Sequence, residues 1–243
     1  MKRSFVVFSA VFVFWASAQG DADAVLAAII DSQRGAQAQR ATITMTIVRP
    51  FEERTFEIDS VSDGLERSLT RVVAPSRDAG QAFLRDGDNL FLYNPRLRRV
   101  LRVPPSGQSD SFLGSDISYS DLSGRDLETD YAAEITDESA ETVELTLIPD
   151  PTAPTPYGQV VLVADAETYA PLEYTFFDQR GAAVKRISFS DFTQAGELRI
   201  PTRLEVANLL REGERTVVVT SDYAFGVRVP EACFSERALE RGC

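Results

Sequence analysis

The chain has 243 residues, of which 44% are hydrophobic and 26% are charged, and this composition is typical of a globular protein. Its formal charge of −12 argues against a nucleic-acid-binding protein, because such binding depends on cationic contacts to phosphate, and it gives no general attraction to anionic membranes. The absence of histidine from the sequence excludes serine–histidine and cysteine–histidine nucleophilic sites and the common zinc sites.

The N-terminus carries the features of a secretory signal peptide. Two basic residues precede an apolar run over residues 5–15, and Ala16 and Ala18 supply the small residues that a signal peptidase reads. A run of about 11 residues is too short to cross a bilayer, which needs about 20. No cysteine follows the run that could carry a lipid. We therefore predict a signal peptide over residues 1–18, cleaved after Ala18, and an exported mature protein.

The mature chain opens with a predicted helix. Residues 21–37 place apolar side chains such as Val25 and Ile29 at helical spacing, acidic residues occupy the first turn, and Gly35 provides a stop signal. The apolar side of this helix needs a surface to cover.

Most of the remaining sequence alternates between apolar and polar residues, which is typical of half-buried β-strands. We predict about a dozen strands, over residues 41–47, 51–60, 65–73, 82–85, 90–93, 97–103, 131–135, 141–148, 159–164, 172–177, 183–192, 199–209 and 216–225. The links are too short for parallel crossovers, and so long a sheet curls because its strands twist. The prediction is a mainly β fold of the α+β type, with one domain over residues 19–243. It is an unclosed, curved antiparallel β-barrel with an N-terminal helix and a helical lid or plug.

Residues 111–126, hereafter the insert, interrupt the alternation between the sixth and seventh predicted strands. Serines, aspartates and glycines separate its large apolar residues, which are Phe112, Leu113, Ile117, Tyr119 and Leu122. Their irregular spacing predicts one or two short helical turns. Since so much apolar surface does not remain in water, we expect the insert to fold back over the mouth or into the hollow of a curved sheet, as a lid or plug.

Three acidic residues of the insert, Asp116, Asp121 and Asp126, allow two interpretations. A pair of carboxylates can run glycoside hydrolysis, but acids in short helical turns more often cap the backbone. Nothing distinguishes one acid from the others, so we predict capping and no catalysis. Residues 86–89 resemble a calcium loop only in part, because the required glycine and final glutamate are absent. No metal or other cofactor is predicted.

Four arginines, Arg96, Arg98, Arg99 and Arg102, lie close together on one predicted strand beside the insert. Exposed arginines usually pair with neighbouring acids and contribute little to stability, and this interpretation is favoured. The alternative is a docking patch for an acidic partner or an anionic lipid headgroup.

The sequence contains two cysteines, Cys233 and Cys243. In an exported chain we predict a disulfide between them that holds down a short C-terminal helix over residues 234–239, capped by Ser235. Free thiols are the less favoured alternative, since no redox motif or metal site accompanies these cysteines.

The insert is also the most specific part of a family resemblance. Residues 111–122 read Ser-Phe-Leu-Gly-Ser-Asp-Ile-Ser-Tyr-Ser-Asp-Leu. Further motifs stand in order along the chain: Asp86-Gly87-Asp88-Asn89-Leu90-Phe91-Leu92-Tyr93-Asn94-Pro95, Arg98-Arg99, Tyr169-x-Pro171-Leu172, Phe176-x-Asp178-x-x-Gly181-x-x-x-Lys185 and Pro201-Thr202-Arg203. Over most of the mature chain, these motifs resemble the outer-membrane lipoprotein-sorting protein family, a LolA-like family of the periplasmic lipoprotein-carrier superfamily.

The resemblance implies a non-catalytic carrier in the periplasm. It implies an unclosed β-barrel whose helical lid covers a hydrophobic cavity. This cavity would bind the acyl chains of lipoproteins or lipids on their way to the outer membrane, with only transient membrane contact. The expected cavity and lid residues, on alternating strands and in the insert, are Phe91, Tyr93, Phe112, Leu113, Ile117, Tyr119, Leu122, Tyr174 and Phe176.

The resemblance also supplies an alternative function. Some members of this branch are associated with inner-membrane exporters of the RND type. The alternative is therefore a non-catalytic accessory subunit of such an exporter or of an envelope assembly machine. Its docking residues would be the arginines at positions 96, 98, 99 and 102.

Overall fold

The computed structural model describes residues 16–243 apart from 35–37, 65, 88, 124–125, 154 and 197. Most of the predicted signal peptide therefore lies outside the described residues, as does Gly35, the predicted helix stop. The described part of the chain contains four α-helices and one sheet of thirteen strands, which confirms the mainly β fold. Within that part, no helix is long and apolar enough to cross a membrane.

The elements follow one another with short links. The helices are α1 (Ala16–Arg34), α2 (Tyr119–Ser123), α3 (Asp126–Thr129) and α4 (Glu236–Arg241). The strands are β1 (Ala38–Arg49), β2 (Glu52–Asp63), β3 (Arg67–Ala74), β4 (Ala82–Asp86), β5 (Asn89–Asn94), β6 (Arg99–Arg102), β7 (Tyr131–Glu138), β8 (Thr142–Pro149), β9 (Tyr157–Asp165), β10 (Pro171–Asp178), β11 (Ala183–Ala195), β12 (Leu198–Asn208) and β13 (Arg215–Phe225). Helix α1 begins earlier than predicted, whereas the strands agree with the prediction to within a few residues.

The strand order explains why the insert has to cross the sheet. This order is β6-β5-β4-β3-β2-β1-β13-β12-β11-β10-β9-β8-β7, and the sheet is curved and not closed. The chain starts in the middle at β1 and adds hairpins outward to β6 at one edge. It then resumes at β7 on the opposite edge and returns until β13 pairs antiparallel with β1, with Ile43 opposite Thr220. The insert therefore connects the two edge strands and passes over one face, hereafter the insert face.

Two clusters of buried side chains lie on the insert face. One joins Phe112 and Ile117 of the insert to apolar residues of β1–β4, β12 and β13. The other places Leu26 and Ile29 of α1 against strands β7–β11. Ile187 of β11 packs against both clusters, so the apolar interior is continuous from the insert to α1. This continuity confirms that the apolar side of the N-terminal helix covers the sheet.

The C-terminal helix α4 packs on the opposite face, where Leu239 is buried against β3 and β4. Ser235 Oγ accepts a hydrogen bond from the Ala238 amide at 3.3 Å, which confirms the predicted cap. Arg71 Nη2 donates to the carbonyls of Ala238 and Leu239 at 2.8 and 2.7 Å and so satisfies the end of the helix. The predicted disulfide between Cys233 and Cys243 is also confirmed.

Candidate ligand-binding site

The insert reverses direction before it crosses the sheet. Leu113 and Gly114 adopt left-handed φ values of 53° and 77°, and the Phe112 amide donates to the Ile117 carbonyl at 2.7 Å. Glycine takes such a conformation without penalty, but for a leucine it costs about 1 kcal/mol. The reversal brings Phe112 and Ile117 together on the side of the insert that is buried against the sheet.

Aromatic rings make the main apolar contact between the insert and the sheet. The ring of Phe112 meets that of Phe83 on β4 edge-on, with 4.4 Å between centroids, and lies 6.1 Å from that of Tyr119. Burial, together with the charge of Asp110, raises the pKa of Tyr119, so its hydroxyl stays neutral well above neutral pH. The contact is therefore an uncharged aromatic cluster.

A cavity of about 130 Å³ lies between the insert and the sheet. Most of its wall is apolar, with a few polar groups from β3 and β4. The lining residues are Ile43, Met45, Ile58, Ser68, Thr70, Phe83, Arg85, Leu90, Phe112, Ile117, Leu122 and Val218. Pockets for small molecules usually measure roughly 300–1,000 Å³. The cavity is therefore smaller than a usual small-molecule pocket.

Asp116 anchors the start of the insert to β1 and β13. Its carboxylate accepts hydrogen bonds from Arg49 Nη1 at 2.9 Å and from Thr216 Oγ1 at 2.7 Å. Arg49 Nη2 also donates to the carbonyl of Gly114 at 3.1 Å, and the Asp116 amide donates to Thr216 Oγ1 at 3.0 Å. The Asp116 side chain is 6% exposed, whereas that of Arg49 is 24% exposed. This anchor is therefore buried on its acidic side and partly solvated on its basic side.

Asp121 makes the second anchor, on β11. Its carboxylate lies 2.7 Å from Nζ of Lys185, whose side chain is 9% exposed. The ammonium also sits 4.2 and 4.9 Å from the ring centroids of Phe176 and Tyr157. Burial disfavours the charged form of Lys185, but the charge of Asp121 outweighs it, and Tyr157 contributes in the same direction. The pKa of Lys185 therefore lies above its ordinary value.

The predicted capping by Asp121 is confirmed. Its carboxylate accepts from the Ser118 amide at 2.7 Å, and Ser118 Oγ accepts from the Asp121 amide at 3.2 Å. This reciprocal pair is a capping box at the start of α2. Asp116 and Asp121 are thus engaged in anchoring the insert, while the side chain of Asp126 lies outside the described residues. In the described part of the chain, no group of acids and cysteines is arranged to hold a metal ion.

The structure brings together most of the predicted lid residues. Phe112, Leu113, Ile117 and Tyr119 belong to one cluster with the sheet. Leu122 lines the cavity but remains 38% exposed, so it stands at the edge of the apolar interior.

Phe91 and Tyr93 are placed away from this cluster. Both pack on the opposite face of the sheet with α4, whereas Leu90 lines the cavity and Leu92 packs against the insert cluster. The four consecutive apolar residues of β5 carry no alternation, so the sequence does not indicate which pair faces the insert. We therefore omit Phe91 and Tyr93 from the proposed lining.

Tyr174 and Phe176 lie on the insert face but beneath α1. The structure connects Phe176 to the insert through Lys185, which touches both its ring and Asp121. These two residues therefore belong to the same apolar interior as the lid residues, at its α1 end.

The four arginines are divided between a turn and a strand, so their predicted placement on one strand is wrong. Arg99 and Arg102 are the ends of β6, whereas Arg96 and Arg98 lie in the preceding turn. The side chain of Asn94 accepts from the Arg96 amide at 3.0 Å, and Arg98 adopts a left-handed φ of 49°. This asparagine turn extends beyond Pro95 and shortens the strand.

Sequence reasoning missed Arg49, Thr216, Lys185 and Phe83 as partners of the insert. For Lys185 a signal was present, because it is the sole lysine in the chain besides Lys2 and occupies a regular position within a predicted strand. Arg49 and Thr216 carry no such signal, since many arginines and threonines flank the predicted strands. Their role follows from the register of β1 and β13 and not from local sequence.

Comparisons with known proteins concern the sequence and the fold. A family model described as "-like: Uncharacterized protein" matches residues 64–241. A domain described as an outer membrane lipoprotein-sorting protein, from Vibrio parahaemolyticus, has 25% identity and a TM-score of 0.83, with 92% of this chain and 100% of that chain covered. Comparison with curated proteins gives no significant match.

Two further solved structures share the fold. A DUF1329 family protein from Desulfovibrio piger has 21% identity and a TM-score of 0.83, with 91% of this chain and 99% of that chain covered. A LolA superfamily protein from Nitrosomonas europaea has 19% identity and a TM-score of 0.73, with 89% and 98% covered. At these identities the likeness concerns the fold alone.

Proposed function

The chain belongs to the LolA-like family of outer-membrane lipoprotein-sorting proteins, and on this premise we propose that it is a periplasmic carrier. The proposed cargo is the acyl chain of a lipoprotein or lipid, held between the insert and the sheet. The carrier performs no catalysis and delivers its cargo toward the outer membrane. Export through the signal peptide over residues 1–18 would bring the protein to this compartment.

The observation that carries this proposal is the apolar contact between the insert and an open sheet. The insert covers an apolar face, and the chain enters and leaves it from the two edge strands, β6 and β7. Each methylene group of a buried acyl chain gains about 0.8 kcal/mol, so an acyl chain can compensate for lost contacts of Phe112 and Ile117. The cargo would thus replace the insert on the sheet.

Cargo held between the insert and the sheet would have to displace the insert, because the cavity there is small. The present volume of about 130 Å³ lies well below that of a usual ligand pocket. The ion pairs of Asp116 and Asp121 hold the insert at two separate points of the sheet. Opening would therefore break or strain these ion pairs. The free energy gained by burying the acyl chain would have to exceed the free energy lost with them.

A matched pair of substitutions tests the position of the cargo. Thr70 lines the cavity, and Thr55 is exposed on the neighbouring strand β2. We expect Thr70→Phe to fill the cavity and weaken binding of a fluorescent fatty acid about tenfold, since that corresponds to loss of roughly two methylene contacts. Thr55→Phe should leave affinity unchanged. Equal affinities of the two variants, or no uptake by the wild-type protein, would contradict the proposed site.

A second candidate function is an accessory subunit that docks on an exporter of the RND type or on an envelope assembly machine. Arg98 and Arg99 favour it, because both are exposed and, among the described residues, neither has an ion-pair partner. An arginine on an edge strand also prevents strand pairing between molecules, and this is the simpler explanation for Arg99, which lies on β6. Charge reversal at both positions should abolish capture of the partner but preserve fatty-acid uptake. Unchanged capture would eliminate this function.

A further inference from the structure

The hairpin turns of the sheet form two rims of different chemistry. Because each strand pairs antiparallel with its neighbours, the turns alternate between the two ends of the strands. We call one set the apolar rim; its turns are residues 50–51, 75–81, 95–98, 150–156, 179–182 and 209–214. The opposite rim consists of the described residues within turns 64–66, 87–88, 139–141, 166–170 and 196–197.

Large exposed apolar side chains are concentrated on the apolar rim. Eight such side chains occur among the described residues, and four of them lie in hairpin turns. These four are Phe51, Leu97, Leu209 and Leu210, and all belong to the apolar rim. Phe51 is fully exposed, and Leu97 and Leu210 are 61% and 71% exposed. No described turn residue of the opposite rim is a large exposed apolar residue.

The two rims also differ in charge. The turns of the apolar rim carry five arginines and four acids, which are Arg77, Arg96, Arg98, Arg180, Arg211, Asp78, Asp150, Glu212 and Glu214. The described turn residues of the opposite rim carry three acids, Glu66, Glu141 and Glu167, and no cation. In a chain with a net charge of −12, the apolar rim is therefore the end that anionic headgroups repel least.

The spacing of the apolar side chains favours a lipid surface over a protein pocket. The turns with Phe51 and Leu210 belong to adjacent hairpins, so they are separated by two strand spacings, or about 10 Å. Separate apolar tips with intervening arginines fit the boundary between acyl chains and phosphate groups, where each side chain inserts independently. A protein partner would instead favour one continuous apolar patch.

We propose that the apolar rim docks on the phospholipid surface of a membrane, with Phe51, Leu97 and Leu210 inserted between headgroups and the arginines beside phosphates. The contact is shallow and reversible, because each tip buries only one or two apolar side chains. This docking does not depend on an acyl cargo in the cavity. The same rim includes Glu214, which lies 3.7 Å from Arg49 of the Asp116 anchor, so the docked end is also the anchored end of the insert.

Vesicle co-sedimentation tests the proposal with the full mature chain freed of lipid. The probe is a large unilamellar vesicle of phosphatidylethanolamine and phosphatidylglycerol. We expect Phe51→Ser and Leu210→Ser each to lower the partition coefficient roughly tenfold, because each removes one inserted apolar side chain. Leu101→Ser is the matched control, since Leu101 is 47% exposed but lies on β6 outside the turns.

The salt dependence identifies the kind of contact. Since charges on the apolar rim nearly balance, raising salt to about 0.5 M should weaken vesicle binding less than threefold. Absence of wild-type binding, an equal loss with Leu101→Ser, or complete release by salt would each overturn the proposal. Capture of a protein by this rim without vesicle binding would overturn it as well. Because the protein carries no lipid in this assay, the result is independent of fatty-acid uptake.

Discussion

Asp116 and Asp121 perform similar tasks in different surroundings. Each connects the insert to a cation of the sheet, but Lys185 is more deeply buried than Arg49, with 9% against 24% of the side chain exposed. An ion left in a buried position without its partner loses hydration and gains nothing in return. The loss in free energy of unfolding when each acid is removed should therefore depend mainly on how far water reaches the cation that remains.

Replacement of Asp121 by Asn should thus destabilise the protein more than replacement of Asp116 by Asn. We expect the free energy of unfolding to fall by about 3 kcal/mol for Asp121→Asn and by about 1–2 kcal/mol for Asp116→Asn. Urea denaturation measures both values, and Asp137→Asn at an exposed position serves as the control. If Asp116→Asn has the larger effect, the burial argument is wrong.

The Lys185 anchor should also make stability depend on alkaline pH. The pKa of Lys185 is raised in the folded state, so its stabilising effect is complete below the unfolded value of about 10.4. That effect is then lost as pH rises through the folded pKa. We predict that, above about pH 10.4, the free energy of unfolding declines more steeply in the wild-type protein than in Lys185→Met. Tyr119 shifts in the same direction but is present in both proteins. If the free energy of unfolding falls in parallel with pH in the two proteins, the Lys185–Asp121 ion pair does not contribute the predicted stability.

At the scale of elements, the strands could be predicted because period-two alternation survives in most of them. β8 shows this most clearly: Val143, Leu145 and Leu147 are buried and the residues between them are not. The predicted bounds of β5 agree with the structure to within one residue. Its inward face could not be predicted, since Leu90 to Tyr93 are all apolar. The insert was predictable as an interruption, whereas its anchors were not. Asp116 and Thr216 are 100 positions apart, and their contact is produced by the pairing of β13 with β1.

Helix α4 should be stabilised by its disulfide without affecting the ligand site. Cys233 and Cys243 are separated by 10 positions. A disulfide over this distance restricts the unfolded chain and should stabilise the folded state by about 2.7 kcal/mol. We therefore expect the Cys233→Ser and Cys243→Ser double variant to lose roughly this amount in urea denaturation. Its fatty-acid uptake should be unchanged, because α4 packs on the face opposite the insert. A parallel loss of uptake would indicate that the two faces are coupled.

In the whole molecule, the first and last strands of the sheet, β1 and β13, pair with each other in its middle. Both edges are consequently occupied by strands adjacent to the insert, β6 and β7. Movement of the insert would leave all pairings within the sheet intact, so a carrier could open without unfolding. Thirteen strands supply the stable part, and the insert with its two ion-pair anchors supplies the part proposed to move.

The most direct test of the carrier function is native mass spectrometry of the protein purified from its native host. We predict an additional mass that dissociates on denaturation and is identified as an acyl-containing molecule in the lipid extract. The Thr70→Phe variant should carry less of it than the wild-type protein. A wild-type protein that is free of lipid after this purification, and that also takes up no fatty acid, would contradict the proposed function.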